Sequence, residues 1–269
     1  MSDQTIWLAF GLTMIAGLST GIGSLIALLA KHTNTKFLCA SLGFLAGVML
    51  YVSFMELMPH AGKELLSHFG EKTGTLMMLF AFFGGMGLIA LIDFLITGPN
   101  NPHEMQGVED MKPSNGQGKA LQRTGVIIAL SLTVHNFPEG IAAFATAITG
   151  GLSVAIPITV AIAIHNIPEG IAVTVPIYHA TGNRRKAFWL SFLSGLSEPL
   201  GALVAWLFLI PFWSSLVSGI VMAAVAGIMV FISLDELLPT AEKYGKHHLS
   251  VSGLIAGMMI MALSLYLFI

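Results

Sequence analysis

Charge is scarce in this chain of 269 residues. It has 12 Lys and Arg and 14 Asp and Glu, so 10% of its residues are charged and 55% are apolar, whereas roughly a quarter of an average soluble domain is charged. This composition excludes an ordinary soluble globular protein and favours a membrane protein. The net charge of −2 says nothing about nucleic acid, and no nucleic-acid partner is expected.

Cysteine is almost absent as well. The single Cys39 excludes an internal disulfide and a thiolate cluster, so a bound metal ion would need nitrogen and oxygen ligands. Residues 1–5 contain no basic residue and no cleavage site, which favours a retained first helix over a signal peptide.

What the sequence does have is long apolar runs. A membrane-spanning helix needs about 20 such residues, and the runs lack the alternation of transmembrane strands. The sequence therefore predicts an all-α polytopic membrane protein with eight transmembrane helices and one domain, residues 1–269. The predicted helices cover residues 6–30, 37–59, 75–97, 125–148, 153–178, 187–210, 215–238 and 249–269.

The basic residues predict the orientation. Ten of the twelve fall in alternate loops, and only Lys63 and Lys72 fall on the other side. The positive-inside rule therefore places both termini outside the cytoplasm. The ten are Lys31, Lys36, Lys112, Lys119, Arg123, Arg184, Arg185, Lys186, Lys243 and Lys246.

Repeated motifs predict the architecture. GLSTGIG at 17–23 resembles GLSEPLG at 195–201, and ELMP at 56–59 resembles ELLP at 236–239, with offsets of 178 and 180 residues. Helices 1–3 and 6–8 would run in opposite directions, so they are candidate inverted repeats around helices 4 and 5, a 3+2+3 arrangement typical of transporters. Glycines spaced four apart predict close helix packing; they are Gly17, Gly21, Gly43, Gly47, Gly253 and Gly257.

A second repeat carries the candidate chemistry. HNFPEGIA at 135–142 and HNIPEGIA at 165–172 each place a histidine and a glutamate on one helix face, because residues four apart are neighbours on a helix. An asparagine in each motif adds an amide oxygen, and each proline frees a backbone carbonyl. A further glutamate lies at the centre of helix 6. The candidate metal ligands are His135, Asn136, Glu139, His165, Asn166, Glu169 and Glu198.

These residues would place three carboxylates at mid-membrane. Each ionised group there costs roughly 2.5–3.5 kcal/mol on insertion scales, and the predicted helices contain no lysine or arginine. One or two divalent cations would neutralise them. Protonation is the alternative, but a proton site would not need the histidines and amides. Imidazole and carboxylate suit zinc, iron, manganese or cobalt better than copper(I). The ion would be the substrate, and no cofactor is expected.

Other polar residues carry weaker predictions. The acids of the helix ends could line the entrance and exit or lie at the headgroup level; they are Glu56, Asp93, Asp235 and Glu236. His60, His68 and His179 are interpreted as interfacial residues. Residues 98–122 are interpreted as a flexible cytoplasmic loop, a solvated linker rather than a metal-capturing segment built on His103, Glu104, Glu109 and Asp110.

The paired HNxPEG motifs, the eight helices and the polar loop together resemble the ZIP family of zinc and iron transporters. The resemblance implies an uptake permease of the bacterial inner membrane, a two-metal centre bridged by Glu139 and Glu169, and a homodimer. Many ZIP proteins have an acid where this sequence has Asn166, which favours a broad range of ions.

The predicted function is uptake of divalent metal ions into the cytoplasm by alternating access. Two alternatives stay open at this point. An intramembrane metallohydrolase or protease would need a general base like that of HExxH, but Asn136 and Asn166 cannot accept a proton. A metal-gated channel or sensor would need no transport cycle.

Overall fold

The computed structural model describes residues 3–29, 35–97, 133–134, 136–148, 151–244 and 247–267. These residues form helices joined by short connections. Seven helical stretches within them are long and apolar enough to cross a membrane. The prediction of an all-α multi-pass protein is confirmed. Much of the predicted fourth helix lies outside the described residues, as does the predicted loop 98–122, so the count of eight stays a prediction.

The helices follow the apolar runs closely. Residues 136–148 form the described part of the predicted fourth helix, labelled α5. The others are α1 (Asp3–Leu29), α2 (Thr35–Val52), α3 (Met58–Phe69), α4 (Glu71–Thr97), α6 (Leu152–Thr181), α7 (Arg184–Gly195), α8 (Ser197–Val204), α9 (Ser215–Ile232), α10 (Leu238–Tyr244) and α11 (His247–Leu267).

Two π-helical turns continue the predicted spans beyond their expected ends. Ser53–Leu57 joins α2 to α3, and Ser233–Leu237 joins α9 to α10. In the first turn the N–H of Met58 bonds to the carbonyl of Ser53, five residues earlier. Pro59 is the second residue of α3, where its missing N–H costs little. The expected helix end at residue 59 was therefore wrong, and Lys63, expected in a loop, lies exposed on α3.

Glycines bring the helices into backbone contact. A Cβ on Gly47 of α2 would collide with the carbonyl of Leu254 in α11, and a Cβ on Gly227 of α9 would collide with the carbonyl of Phe82 in α4. α1 packs along α6 in the same close manner. Such contacts are typical of helices in lipid, where small residues allow backbones to approach.

The main apolar core lies between α2 and α9, with Leu45, Met49, Met222 and Ala226 almost completely buried. Large apolar side chains of α4 point outward instead, including Phe80 and Phe83. A surface of this kind suits lipid rather than water.

Candidate metal centre

Helices α5, α6 and α8 bring the predicted ligands together in the interior. Six of the seven lie within the described residues, and each of the six is at most 2% exposed: Asn136, Glu139, His165, Asn166, Glu169 and Glu198. The seventh, His135, lies outside the described residues. Three carboxylates are therefore buried in one region of the protein interior.

A helix break positions Glu198. α7 ends at Gly195, and the N–H of Leu196 bonds to the carbonyls of Phe192 and Ser194. α8 then begins at Ser197, so Glu198 lies in its first turn. A helix N-terminus favours a carboxylate because its first N–H groups carry partial positive charge. Pro199 is tolerated there because first-turn N–H groups need no intrahelical partner.

Contacts between helices hold the centre together. Nε2 of His165 lies 3.1 Å from Oε2 of Glu139, which joins α6 to α5. Nδ2 of Asn166 donates to Oε1 of Glu198, which joins α6 to α8. The carboxyl groups of Glu139, Glu169 and Glu198 lie close enough to repel one another when they are ionised. The three carboxylates therefore share one electrostatic environment, although they come from three helices.

The two asparagines use their amide nitrogens on backbone carbonyls of neighbouring helices. Nδ2 of Asn136 donates to Ser194 at 3.4 Å, and Nδ2 of Asn166 donates to Ala16 at 2.9 Å. Sequence reasoning did not anticipate this role for α1. The 178-residue offset between the repeated motifs could have indicated it, because it relates Ala16 to Ser194.

Several buried acceptor atoms are left without hydrogen bonds from described residues. The amide of Asn136 lies near the carboxylate of Glu169. By distance and angle, however, neither oxygen of that carboxylate accepts a hydrogen bond from a described residue. In a neutral imidazole whose Nε2 donates to Glu139, Nδ1 carries a lone pair. The atoms concerned are Asn136 Oδ1, His165 Nδ1, Asn166 Oδ1, Glu198 Oε2 and both carboxylate oxygens of Glu169.

Unpaired acceptors are costly in the interior, and a cation can satisfy several at once. Within the described part of the chain, no three His, Cys, Asp or Glu side chains converge tightly enough to hold an ion by themselves. An ion at this centre would therefore also need the amide oxygens of Asn136 and Asn166, or His135. This requirement matches the mixed ligand set that the motifs contain.

A small cavity adjoins Glu139 and His165. Its wall is otherwise mostly apolar and includes Val52, Leu57, Ala143, Thr146, Ile162 and Met229. The residues just before and at the end of the first π turn thus face the same space as the acidic centre. This relation between the turn and the centre was not foreseen from the sequence.

The residues with weaker predictions lie elsewhere. Glu56 and Glu236 occupy the two π turns, the latter beside Asp235, and Asp93 lies on α4. His60 lies 3.9 Å from Glu64 and 3.5 Å from the hydroxyl of Ser218. His68 packs edge-on against Phe69. The side chain of His179 and residues 103–110 lie outside what the structure describes, so their predicted roles stay predictions.

Sequence comparisons identify the family of the chain. A profile of the family described as ZIP Zinc transporter matches residues 99–265. The Zinc transporter ZupT of Streptococcus mutans is 57% identical over 269 residues, covering 99% of this chain and 100% of that protein. The chain belongs to the ZIP family. The Zinc transporter ZupT of Clostridium perfringens is 54% identical over 279 residues, covering 99% of this chain and 98% of that protein.

The resemblance of the paired motifs to ZIP proteins is thereby confirmed. ZIP proteins are transporters, so the metalloenzyme alternative is set aside. A third ZIP relative, the Zinc transporter ZupT of Nitratidesulfovibrio vulgaris, is 52% identical over 277 residues and is covered completely, as is this chain.

Proposed function

We propose that this ZIP protein transports zinc across the membrane into the cytoplasm, with the buried centre of α5, α6 and α8 as the binding site of the transported ion. The observation that carries this proposal is the set of buried acceptor atoms at Asn166, Glu169 and Glu198 that have no hydrogen-bond partner among the described residues. A divalent cation would satisfy several of these atoms at once and would offset the charge of the carboxylates. The names of the ZIP relatives support zinc as the ion.

The proposed ligands are the seven residues expected from the motifs: His135, Asn136, Glu139, His165, Asn166, Glu169 and Glu198. Three ionised carboxylates with one divalent ion leave a charge of −1, and a second ion changes this to +1. Both occupancies are electrostatically acceptable, and Glu139 and Glu169 are the proposed bridges between two ions. The oxygen and nitrogen donors extend the proposed substrates to iron, manganese and cobalt.

Matched contacts support inverted repeats in a 3+2+3 arrangement. Gly47 and Gly227 are 180 residues apart, and the carbonyls that they approach, Leu254 and Phe82, are 172 apart. The hydroxyls of Ser53 and Ser233, also 180 apart, each bond to the carbonyl four residues earlier at 2.8 Å. These pairs relate α2 to α9 and α11 to α4.

Such repeats favour alternating access around the acidic centre. With both termini outside the cytoplasm, as the basic residues predict, the cavity beside Glu139 would lie on the outer side of the centre, because Thr146 follows Glu139 on an outward helix and Ile158 precedes His165 on an inward one. A homodimer and the cytoplasmic loop 98–122 remain part of the proposal.

Zinc uptake into proteoliposomes tests the proposal. Replacing Glu139 or Glu169 by Ala removes a carboxylate that the ion needs, so each variant should take up zinc only at the background rate while still inserting and remaining monodisperse. Glu71→Ala is the matched control, because Glu71 is exposed at the start of α4 and should leave uptake unchanged. Normal saturable uptake by both site variants would overturn the assignment. Flux that does not saturate with zinc would indicate a channel.

A further inference from the structure

The hydroxyl of Thr20 lies fully buried in the middle of α1, and its Oγ1 has no hydrogen-bond partner among the described residues. Several buried hydroxyls in these helices bond to the carbonyl four residues earlier. Thr13 does so to Ala9, and Thr146 to Ala142, each at 2.8 Å. Among the described residues, Thr174 and Ser250 also have buried hydroxyls without a partner.

The hydroxyl of Thr20 has no bond to the carbonyl four residues earlier because other donors already occupy that carbonyl. The carbonyl four residues earlier belongs to Ala16, and it accepts from Nδ2 of Asn166 at 2.9 Å and from the hydroxyl of Ser19 at 2.5 Å. This carbonyl is also the helical acceptor for the N–H of Thr20, and a carbonyl oxygen has only two lone pairs, so none is left for the hydroxyl of Thr20. The asparagine of the centre thus occupies the acceptor that would otherwise hold the hydroxyl of Thr20.

Thr20 packs against glycines that are close in sequence to two carboxylates of the centre. A Cβ on Gly195 would lie 2.8 Å from both Cβ and Oγ1 of Thr20, and a Cβ on Gly170 would collide with the carbonyl of Thr20. Gly170 directly follows Glu169, and Gly195 precedes Glu198 by three residues. Thr20 therefore lies at a close approach of α1 to α6, which carries Glu169, and to the last residue of α7, which directly precedes the turn into α8 and Glu198.

The 178-residue offset between the repeated motifs also indicates Thr20. An offset of 178 relates Ala16 to Ser194, the two carbonyls that accept from Asn166 and Asn136. The same offset relates Thr20 to Glu198. The position of the α8 carboxylate is thus matched on α1 by a neutral hydroxyl.

We propose that the hydroxyl oxygen of Thr20 is a further ligand for the transported divalent cation, on the α1 side of the centre. This inference rests on the proposed function of that centre. A hydroxyl is a hard, neutral oxygen donor, so its presence should favour Mn²⁺ and Zn²⁺ over the softer Cd²⁺. It would also explain why a buried hydroxyl is kept without a partner in the protein.

Three variants separate this role from packing. Thr20→Val removes the oxygen at nearly constant shape, and Thr20→Ser keeps it. Thr13→Val is the matched control, since Thr13 lies two turns earlier in α1, is equally buried and has its own carbonyl partner. The measurement is uptake of Zn²⁺, Mn²⁺ and Cd²⁺ into proteoliposomes, with equilibrium binding of each metal to the purified protein.

Thr20→Val should weaken binding of Zn²⁺ and Mn²⁺ by about tenfold, the size expected for loss of one polar interaction with a charged group, and Cd²⁺ binding by less. Thr20→Ser and Thr13→Val should stay within about twofold of the unsubstituted protein on the same scale. Unchanged binding of all three metals in Thr20→Val overturns the proposal, and so does an equal loss in Thr13→Val.

Glu169→Ala, run in parallel, identifies which proposal has failed. Retained transport by Glu169→Ala overturns the proposed centre itself. Loss of transport by Glu169→Ala together with an unaffected Thr20→Val overturns only the role of Thr20.

Discussion

Asn166 donates through one amide nitrogen to both the carboxylate of Glu198 and the carbonyl of Ala16. One side chain therefore links α6 to α8 and to α1. Its Oδ1 accepts no hydrogen bond from a described residue. The amide thus stabilises the centre through its donors and keeps its acceptor available. An aspartate at this position would have no donor when ionised.

Asn166→Asp should destabilise the metal-free protein and increase the stabilisation that zinc provides. The substitution removes both donated hydrogen bonds and places a fourth carboxylate beside Glu198, so repulsion rises until a cation binds. Thermal unfolding in detergent, with a chelator and with excess zinc, measures both effects. We expect a lower midpoint without metal and a larger upward shift with zinc than in the unsubstituted protein.

Asn183→Asp is the matched control for that experiment. Asn183 caps α7 by accepting from the N–H of Lys186 at 3.1 Å, and an aspartate serves this role equally well. Its unfolding midpoint and zinc shift should not change. If Asn166→Asp behaves like Asn183→Asp, the donated hydrogen bonds do not stabilise the metal-free centre.

The candidate residues and their burial could be predicted from the sequence because the signals are local. The four-residue spacing of His165 and Glu169 predicts a shared helix face, and the cost of buried charge favours a functional role for them. The spans followed from hydropathy alone. Even so, the direct partner of His165 is Glu139 on another helix. Pairing across helices depends on packing, which spacing along one helix does not specify.

Other features could not be predicted for physical reasons. The carbonyls of Ala16 and Ser194 belong to the backbone, and any residue type would supply the same acceptor. Proline at position 59 is an ordinary signal for a helix end, but the π turn before it shifts the hydrogen-bond register and the helix continues. The unpartnered hydroxyl of Thr20 arises from competition for one carbonyl, which only the folded arrangement creates.

Gly140→Ala should destabilise the protein and reduce zinc uptake. A Cβ at this position of α5 would collide with the carbonyl of Glu198, so α5 and α8 must separate and the carboxylate must move. Overpacking of this kind costs about 1–3 kcal/mol. Thermal unfolding in detergent and the KM for zinc in proteoliposomes are the measurements, and we expect a lower midpoint and a higher KM.

The control for that prediction is Gly84→Ala on α4, where a Cβ would meet no atom within 4 Å. The alanine should be neutral or slightly stabilising, since it favours the helix by up to about 1 kcal/mol. A Gly140→Ala protein as stable and active as Gly84→Ala would show that the close approach of α5 and α8 does not position Glu198.

A cysteine at Thr146 should report on access to the centre. Thr146 lines the cavity beside Glu139 and His165, so in a Cys39→Ala background Thr146→Cys should react with a membrane-impermeant thiol reagent added outside. Modification fills the cavity and should stop uptake, and bound zinc should slow the reaction.

The control is Ala226→Cys, which is fully buried in the core of α9 and should not react. If Thr146→Cys reacts only from the cytoplasmic side, the proposed orientation is wrong; if zinc gives no protection, the cavity is not a route to the centre.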